Sequence, residues 1–515
     1  MTQWFLTARE RGNPATRLDT RHPDGVAWSE GNLVRPLIHG ATYFAELFQR
    51  VTKMRDGDLL LFTDWRGDPD EFLTDSQDPD TDVGSVLAEA ARRGVDVRGL
   101  IWRSHWDRLA FSGTENRRLG EEINAAGGQV LLDMRVRAGG SHHQKFVVLR
   151  HHDRPELDII FLGGIDLCHG RRDDSSHRGD VQTQPMAAVY GPRPPWHDVQ
   201  LAITGPAVGD VETVFRERWE DPHALSRHPI GWLADKARHN QPTVTPLPPQ
   251  RPDPEPTGSH SVQLLRTYPR RVGGYFFAPR GERSVARGYT KAVNQGRHLI
   301  YIEDQYLWSP EVAAMLVAAL RRSPELRLIA VLPHFPDQDG PISKPPNLVG
   351  RDRAIAMLRE AAPGRVAFYG LESPDGKPVY VHAKVCVIDD QWASVGSDNF
   401  NRRSWTHDSE LSAAVYDSEY ARALRLELAR EHLDRTGSVD DLHDLMQMFT
   451  TFADSAAKLQ QWYDDGCQGT RPPGRLRPVS DETLSRFTRA WATPLYHLFY
   501  DPDGRPIDFR MRRTF

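Results

Sequence analysis

Apolar residues along the chain recur with two alternating periods. Over 41–53 they fall at helical spacing, and 58–65 form a short, mostly apolar run of the kind a buried strand shows. Residues 83–93 are helical again, and 95–102 alternate as a strand. The same order returns further on. The spacing predicts helices over 285–294, 310–322 and 351–361, and strands over 298–308, 326–332 and 366–369. Helices alternating with strands imply α/β layers, with helices covering a largely buried sheet. Repetition of the order implies that one α/β unit is duplicated.

Between the two series lies a proline-dense stretch, 240–256. Prolines lack a backbone donor and favour extended chain, so this stretch reads as a linker. It divides the chain into a first half (1–239), a linker (240–260), a second half (261–436) and a C-terminal extension (437–515). The extension is helical over 442–462 and then becomes rich in Pro and Arg.

Composition narrows the class. The chain has 515 residues, 39% hydrophobic and 26% charged, which suits a globular protein of at least two domains. A net charge of −5 argues against a generally basic nucleic-acid binder. Cys168, Cys386 and Cys467 are far apart and odd in number, so they suggest neither a disulfide framework nor a clustered zinc motif. The first apolar stretch is too short for a signal peptide, and no run approaches the roughly 18–20 apolar residues that span a bilayer. The expectation is a soluble cytoplasmic protein without a transmembrane anchor, able to touch a membrane peripherally. Export by another route stays open.

The chemistry lies late in each half. The second half reads Val379-Tyr-Val-His382-Ala-Lys384-Val-Cys-Val-Ile-Asp389, then Gly396-Ser397-Asp-Asn399. The first reads Ser141-His-His143-Gln-Lys145, then Gly163-Gly164-Ile-Asp166. Side chains alternate across a strand, so a His and a Lys two apart project to one face. The small residues Gly163, Gly164, Gly396 and Ser397 let backbone approach an anion closely. Two such units brought together supply two lysines to neutralise a phosphodiester and two imidazoles, one to attack phosphorus and one to protonate the leaving oxygen. Adjacent histidines point to opposite faces of a strand, so His142-His143 is a poor chelator, and no catalytic metal or cofactor is expected.

These motifs resemble the phospholipase D superfamily. His382-x-Lys384, four residues, Asp389, six residues, Gly396-Ser397-x-Asn399 matches its motif. His142-His143-Gln144-Lys145 with Phe161-Leu-Gly-Gly-Ile-Asp-Leu-Cys168 resembles its eukaryotic-like, phosphatidylcholine-directed branch. So do Tyr301-Ile-Glu303-Asp-Gln305-Tyr306, Trp196-His-Asp198, Asn401-Arg-Arg403-Ser404 and Asp408-Ser409-Glu410. The resemblance covers about residues 30–435 and implies two pseudo-symmetric α/β/α sandwiches sharing one active site.

By that resemblance, His143 is the nucleophile that forms a phosphohistidine and His382 the acid, later the base. The pseudosymmetry leaves the reverse assignment open. Lys145 and Lys384 bind phosphate oxygens, helped by Asn399, Ser397, Asp166 and Gln305. Asp198 and Glu410 each hold the far nitrogen of a histidine. Asp389, Glu303 and the three glycines support the site. One departure stands out: the first-half position matching Asp389 is Arg150, and the hairpin there is six residues longer. Asp153 or Asp158 is left to compensate. A rim around Trp102-Arg103-Ser-His-Trp106 suits a lipid surface no better than ordinary packing.

The implied function is hydrolysis of phospholipids to phosphatidic acid and head-group alcohol, with transfer to another alcohol, by a monomer visiting a membrane surface. A phosphodiesterase for nucleic acid or a soluble diester, and a silent lipid- or phosphate-binding member, are the alternatives.

Overall fold

The computed structural model describes residues 1–515 apart from 77, 105–112, 182, 185, 226–243, 480–483 and 513–514. His105 and Trp106 of the expected rim, and positions 240–243 of the expected linker, lie outside the described residues.

Strand order shows the duplication directly. In the first half it runs Gln129–Asp133, Asp96–Trp102, Leu59–Asp64, Phe146–Arg150, Ile159–Gly163, Val199–Thr204, Ser29–Ile38. The second half repeats it: Val366–Glu372, Arg327–Val331, Leu299–Glu303, Val385–Ile388, Trp392–Gly396, Glu410–Tyr416, His260–Tyr268. In each sheet the first three strands are parallel and the remaining joins antiparallel. The last strands of the two series, Ser29–Ile38 and His260–Tyr268, pair with each other and join the sheets.

The apolar runs are strands buried on both faces, and their alternation sorts side chains into layers. Leu59 and Leu61 enter a core shared by both halves, while Leu60 and Phe62 face the outer helices Gly40–Val51, Val83–Arg92 and Gly113–Ala125. In the second half Val385 and Val387 enter the shared core, and Cys386 and Ile388 face the helices Ser284–Val293, Pro310–Arg322 and Lys344–Ala361. The inner layer holds Ala207–Trp219 and Ser418–His432. Caps fix where helices begin: Asp82 accepts from Ser85 N–H at 2.7 Å, and Pro310 follows the Ser309 cap. This is the α/β/α arrangement expected.

The proline-rich stretch does not hang free. Thr245 O accepts from Trp219 Nε1–H at 3.0 Å, and Pro252 O accepts from Arg150 at 2.6 Å. The C-terminal extension adds an edge strand, Leu476–Pro478, beside Val366–Glu372. Its helix Leu445–Asp464 buries Met448, Phe452 and Ala456.

Asp389 accepts from the backbone N–H groups of Arg297, His298 and Leu299 at 2.7–2.9 Å, and so anchors the strand that leads to the site. In the first half the buried Arg150 lies 3.0 Å from both Asp158 and Glu212. Asp158 also accepts from His151 N–H at 2.6 Å, whereas Asp153 is exposed. A buried two-carboxylate clamp thus stands where the other half has a turn acid. Arg150→Ala takes the shared buried cation from both carboxylates, leaving Asp158 with His151 and Glu212 with Arg216, and is expected to cost about 3 kcal/mol in chemical denaturation.

Candidate active site

The two half-sites are built from crossed strands. His143 N–H donates to Ser409 O at 2.9 Å, and Ser409 N–H donates to Ser141 O at 3.0 Å. Likewise Tyr380 and Val381 pair in parallel with Trp196 and His197, and His382 N–H donates to His197 O at 2.8 Å. Each histidine therefore lies against the carboxylate-bearing strand of the opposite half. His143 Nδ1 is 2.9 Å from Glu410 Oε2, and His382 Nδ1 is 2.6 Å from Asp198 Oδ2. With the proton that each pair shares on Nδ1, Nε2 keeps its lone pair. Both imidazoles line one cavity of about 630 Å³, together with Trp65, Asp166, Trp196, Gln305, Tyr380 and Asn399.

Burial dominates the electrostatics. It pushes both imidazoles well below the usual histidine value, with Lys145 adding to this at His143 and Lys384 at His382. Burial also raises Asp198 and pushes Glu410 up to about 8. Each histidine–carboxylate pair shares a proton where an isolated charge is disfavoured.

Lys145 Nζ donates to His143 O at 2.9 Å and sits 3.4 Å from Asp166 Oδ1. Lys384 Nζ donates to His382 O and, at 3.3 Å, to Gln305 Oε1. Burial pushes Lys384 down to about 8. Gln305 also donates to Tyr306 and Tyr380 at 2.8 Å, so it orients the lysine. Its first-half counterpart by register is Trp65, whose ring centroid lies 6.0 Å from Lys145 Nζ.

The turns differ in a compensating way. A Cβ at Gly164 would stand 2.3 Å from Asp198 Oδ1, so glycine is needed where that short acid packs. The matching Ser397 fits because it bonds the longer acid: Ser397 Oγ donates to Glu410 Oε2 at 2.5 Å and accepts from Leu411 N–H at 3.0 Å. Ser397, expected at the phosphate, stands instead behind Glu410. A Cβ at Gly396 would stand 1.7 Å from Ser412 Oγ, and Gly163 ends its strand against Gln200. Glu303 accepts from His197 at 2.6 Å and from His432 at 2.7 Å, in a buried network behind the cavity.

Asp166, expected beside the phosphate, lines the cavity but shares a hydrogen bond with Asp64. Burial and the charge of Asp166 push Asp64 well above the carboxylate range; burial also acts on Asp166, but Lys145 draws it below. One proton between these acids moderates the negative charge they bring to the cavity. Sequence reasoning missed Asp64, which reads as a strand end. It also missed Arg171, a cavity-lining guanidinium 3.9 Å over the Trp196 ring, because an Arg in Gly-Arg-Arg-Asp-Asp reads as solvated charge.

Duplicated α/β sandwiches sharing a two-histidine, two-lysine pocket define a composite site suited to phosphoryl chemistry. The family model described as Phospholipase D matches residues 70–310, and that described as Cardiolipin synthase, PLD-like domain matches 289–431. The chain belongs to the phospholipase D superfamily, on its eukaryotic-like branch. Phospholipase D alpha 1 of Oryza sativa subsp. japonica is 24% identical over 79% of this chain and 65% of its own length. Phospholipase D alpha 2 of Arabidopsis thaliana is 25% identical over 75% of this chain and 62% of its own. The chain thus spans under two thirds of the length of these curated relatives. Phosphatidylserine synthase of Haemophilus influenzae Rd KW20 superposes with a TM-score of 0.50 at 12% identity, covering 82% of this chain and 94% of that one, which is a likeness of fold.

Proposed function

We propose that the protein is a metal-independent phospholipase D-type phosphodiesterase, which cleaves phospholipids to phosphatidic acid and head-group alcohol and passes the phosphatidyl group to other alcohols. The observation that carries this reading is the pair of crossed histidine–carboxylate bonds facing one cavity. His143 Nε2 attacks phosphorus and the bond to the head-group oxygen breaks. His382, protonated in the complex because the diester brings a negative charge, gives its Nε2 proton to that oxygen. His382 then takes a proton from water or an alcohol, whose oxygen displaces His143 from phosphorus. Lys145, Lys384 and Arg171 neutralise the phosphoryl oxygens, and Asn399 completes the lining.

A lipid is favoured over a nucleic acid by the rim. Phe499 lines the cavity and is 65% exposed, and Leu498, Ile507 and Met511 nearby in the C-terminal extension are exposed as well. No helix among the described residues is long and apolar enough to cross a membrane, so contact is with the surface.

The test is incubation with vesicles of phosphatidylcholine, phosphatidylethanolamine and phosphatidylglycerol, with and without 1-butanol, and analysis of products by mass. Phosphatidic acid is expected, diverted to phosphatidylbutanol by the alcohol. Turnover of single-stranded DNA or bis(p-nitrophenyl) phosphate with every lipid untouched overturns the lipid reading. The pH profile gives a second check. Lys384 loses its charge as pH rises through about 8, so kcat/KM is expected to fall above that value. The fall in kcat comes at higher pH, because bound phosphate holds the proton on.

A further inference from the structure

Behind the strand that carries Asp198, three histidines converge on one carboxylate. Extended chain alternates its side chains, so Trp196 and Asp198 face the cavity and His197 faces away from it. There His197 Nδ1 lies 3.6 Å from Glu431 Oε1, His177 Nε2 lies 3.0 Å from the same oxygen, and His39 Nε2 lies 2.7 Å from Glu431 Oε2. One ligand atom from each of the four residues can be chosen so that all lie within 4.8 Å of one another. The three imidazoles are 96% buried or more, and Glu431 leaves a narrow opening at 11% exposure. We infer that His39, His177, His197 and Glu431 form a structural site for one late first-row divalent cation, zinc being the best fit, which fastens the two halves behind the reaction cavity.

Four arguments support the assignment. The first is the ligand set: three imidazoles and a carboxylate suit tetrahedral zinc, whose bonds of about 2.0–2.1 Å separate ligand atoms by about 3.3 Å. The distances around Glu431 bracket that spacing.

The second is proton accounting. His177 Nδ1 lies 3.1 Å from Trp196 O, and His197 Nε2 lies 2.6 Å from Glu303 Oε2. Both partners only accept, so the outward nitrogens carry the hydrogens. In the neutral tautomers the inward nitrogens then hold lone pairs, as ligation requires. His197 Nδ1 is buried with no partner inside 3.5 Å, its nearest carboxylate oxygen being that of Glu431 at 3.6 Å.

The third is support from behind. Histidine ligands are oriented by a carbonyl or carboxylate on the far nitrogen, as Trp196 O and Glu303 do here, and His432 holds Glu303 in turn at 2.7 Å.

The fourth is backbone strain. His39 adopts φ 69° and ψ 153°, a region kept almost entirely to glycine, and His177 has φ 50°. Two of three converging histidines hold unfavourable backbone to present their rings. The nearest competing cation, Arg475, is 3.9 Å from Glu431 and donates to Ser175 O instead.

The ion is placed to act on Asp198 by position alone. His39 N–H donates to Asp198 O at 2.9 Å, so two of the four ligands grip the segment that holds His382. The proposed reaction stays metal-free.

The test needs no substrate. Untagged full-length protein, grown with zinc and purified without chelator, is analysed for metals by mass spectrometry. About one zinc per chain is expected, falling at least tenfold in His39→Ala and Glu431→Gln and unchanged in His143→Ala. Cobalt-loaded protein should show visible ligand-field bands, and stripping the ion should lower the melting temperature until zinc is restored. Wild-type protein that is folded, carries less than about a tenth of an equivalent of any transition metal and gives no cobalt bands overturns the inference. The cluster would then be a hydrogen-bonded histidine–glutamate network only.

Discussion

His143→Ala and His382→Ala should each lower kcat by at least about 10⁴-fold, and the double variant should be little worse than either. Both imidazoles line one cavity, and in the proposed scheme they act as nucleophile and acid on one phosphorus, so removing one leaves the other without a task. Rapid quenching of wild-type protein with a phosphorus-labelled substrate should leave acid-labile label on His143, and His382→Ala should accumulate it only from a p-nitrophenyl ester, whose leaving group departs without an acid. Label on His382 instead would exchange the two roles and preserve the scheme. Near-normal turnover in either single variant, or net inversion at phosphorus, would sink it, because two displacements must give retention.

The second large effect follows from the crossing of the carboxylates. Glu410→Gln and Asp198→Asn should each reduce kcat by about 10²–10⁴-fold, since an amide in place of the carboxylate favours the wrong tautomer. They should fail at different steps. With a p-nitrophenyl ester the leaving group needs no acid, so Asp198→Asn should release a burst of p-nitrophenol and then stall as phosphoenzyme. Glu410→Gln, which disables His143, should give no burst. Matching behaviour of the two variants would contradict the pairing of Glu410 with His143 and of Asp198 with His382.

Much of this arrangement was legible in the sequence, for definable reasons. Runs such as 59–62 and 385–388 are apolar at every position because both faces of each sheet are covered, and that pattern survives any tertiary detail. Spacing of two along extended chain put His143 with Lys145 and His382 with Lys384. The anomaly at Arg150 was visible as a break in the repeat, and Asp158 proved to be its partner.

What could not be read was tertiary pairing. Nothing local says that Glu410 pairs with His143 across 267 positions, or that Ser397 bonds that carboxylate. The cluster of His39, His177, His197 and Glu431 has no spacing pattern, since its members come from four separate segments. Nor does anything in the Pro- and Arg-rich end of the extension announce that Phe499 and Tyr500 line the cavity.

The crossing also bears on how such a chain is made. The ribosome releases His143 267 residues before Glu410, and His382 184 residues after Asp198. N-terminal domains fold first during synthesis. A completed first half therefore carries a histidine without its carboxylate and a carboxylate without its histidine. A truncated or unfinished product therefore lacks both crossed pairs, and only translation through to the second half completes the cavity. Neither half, cut away by recombination, takes a working catalytic pair with it. Duplication supplied the two units, but exchange of their carboxylates made them inseparable.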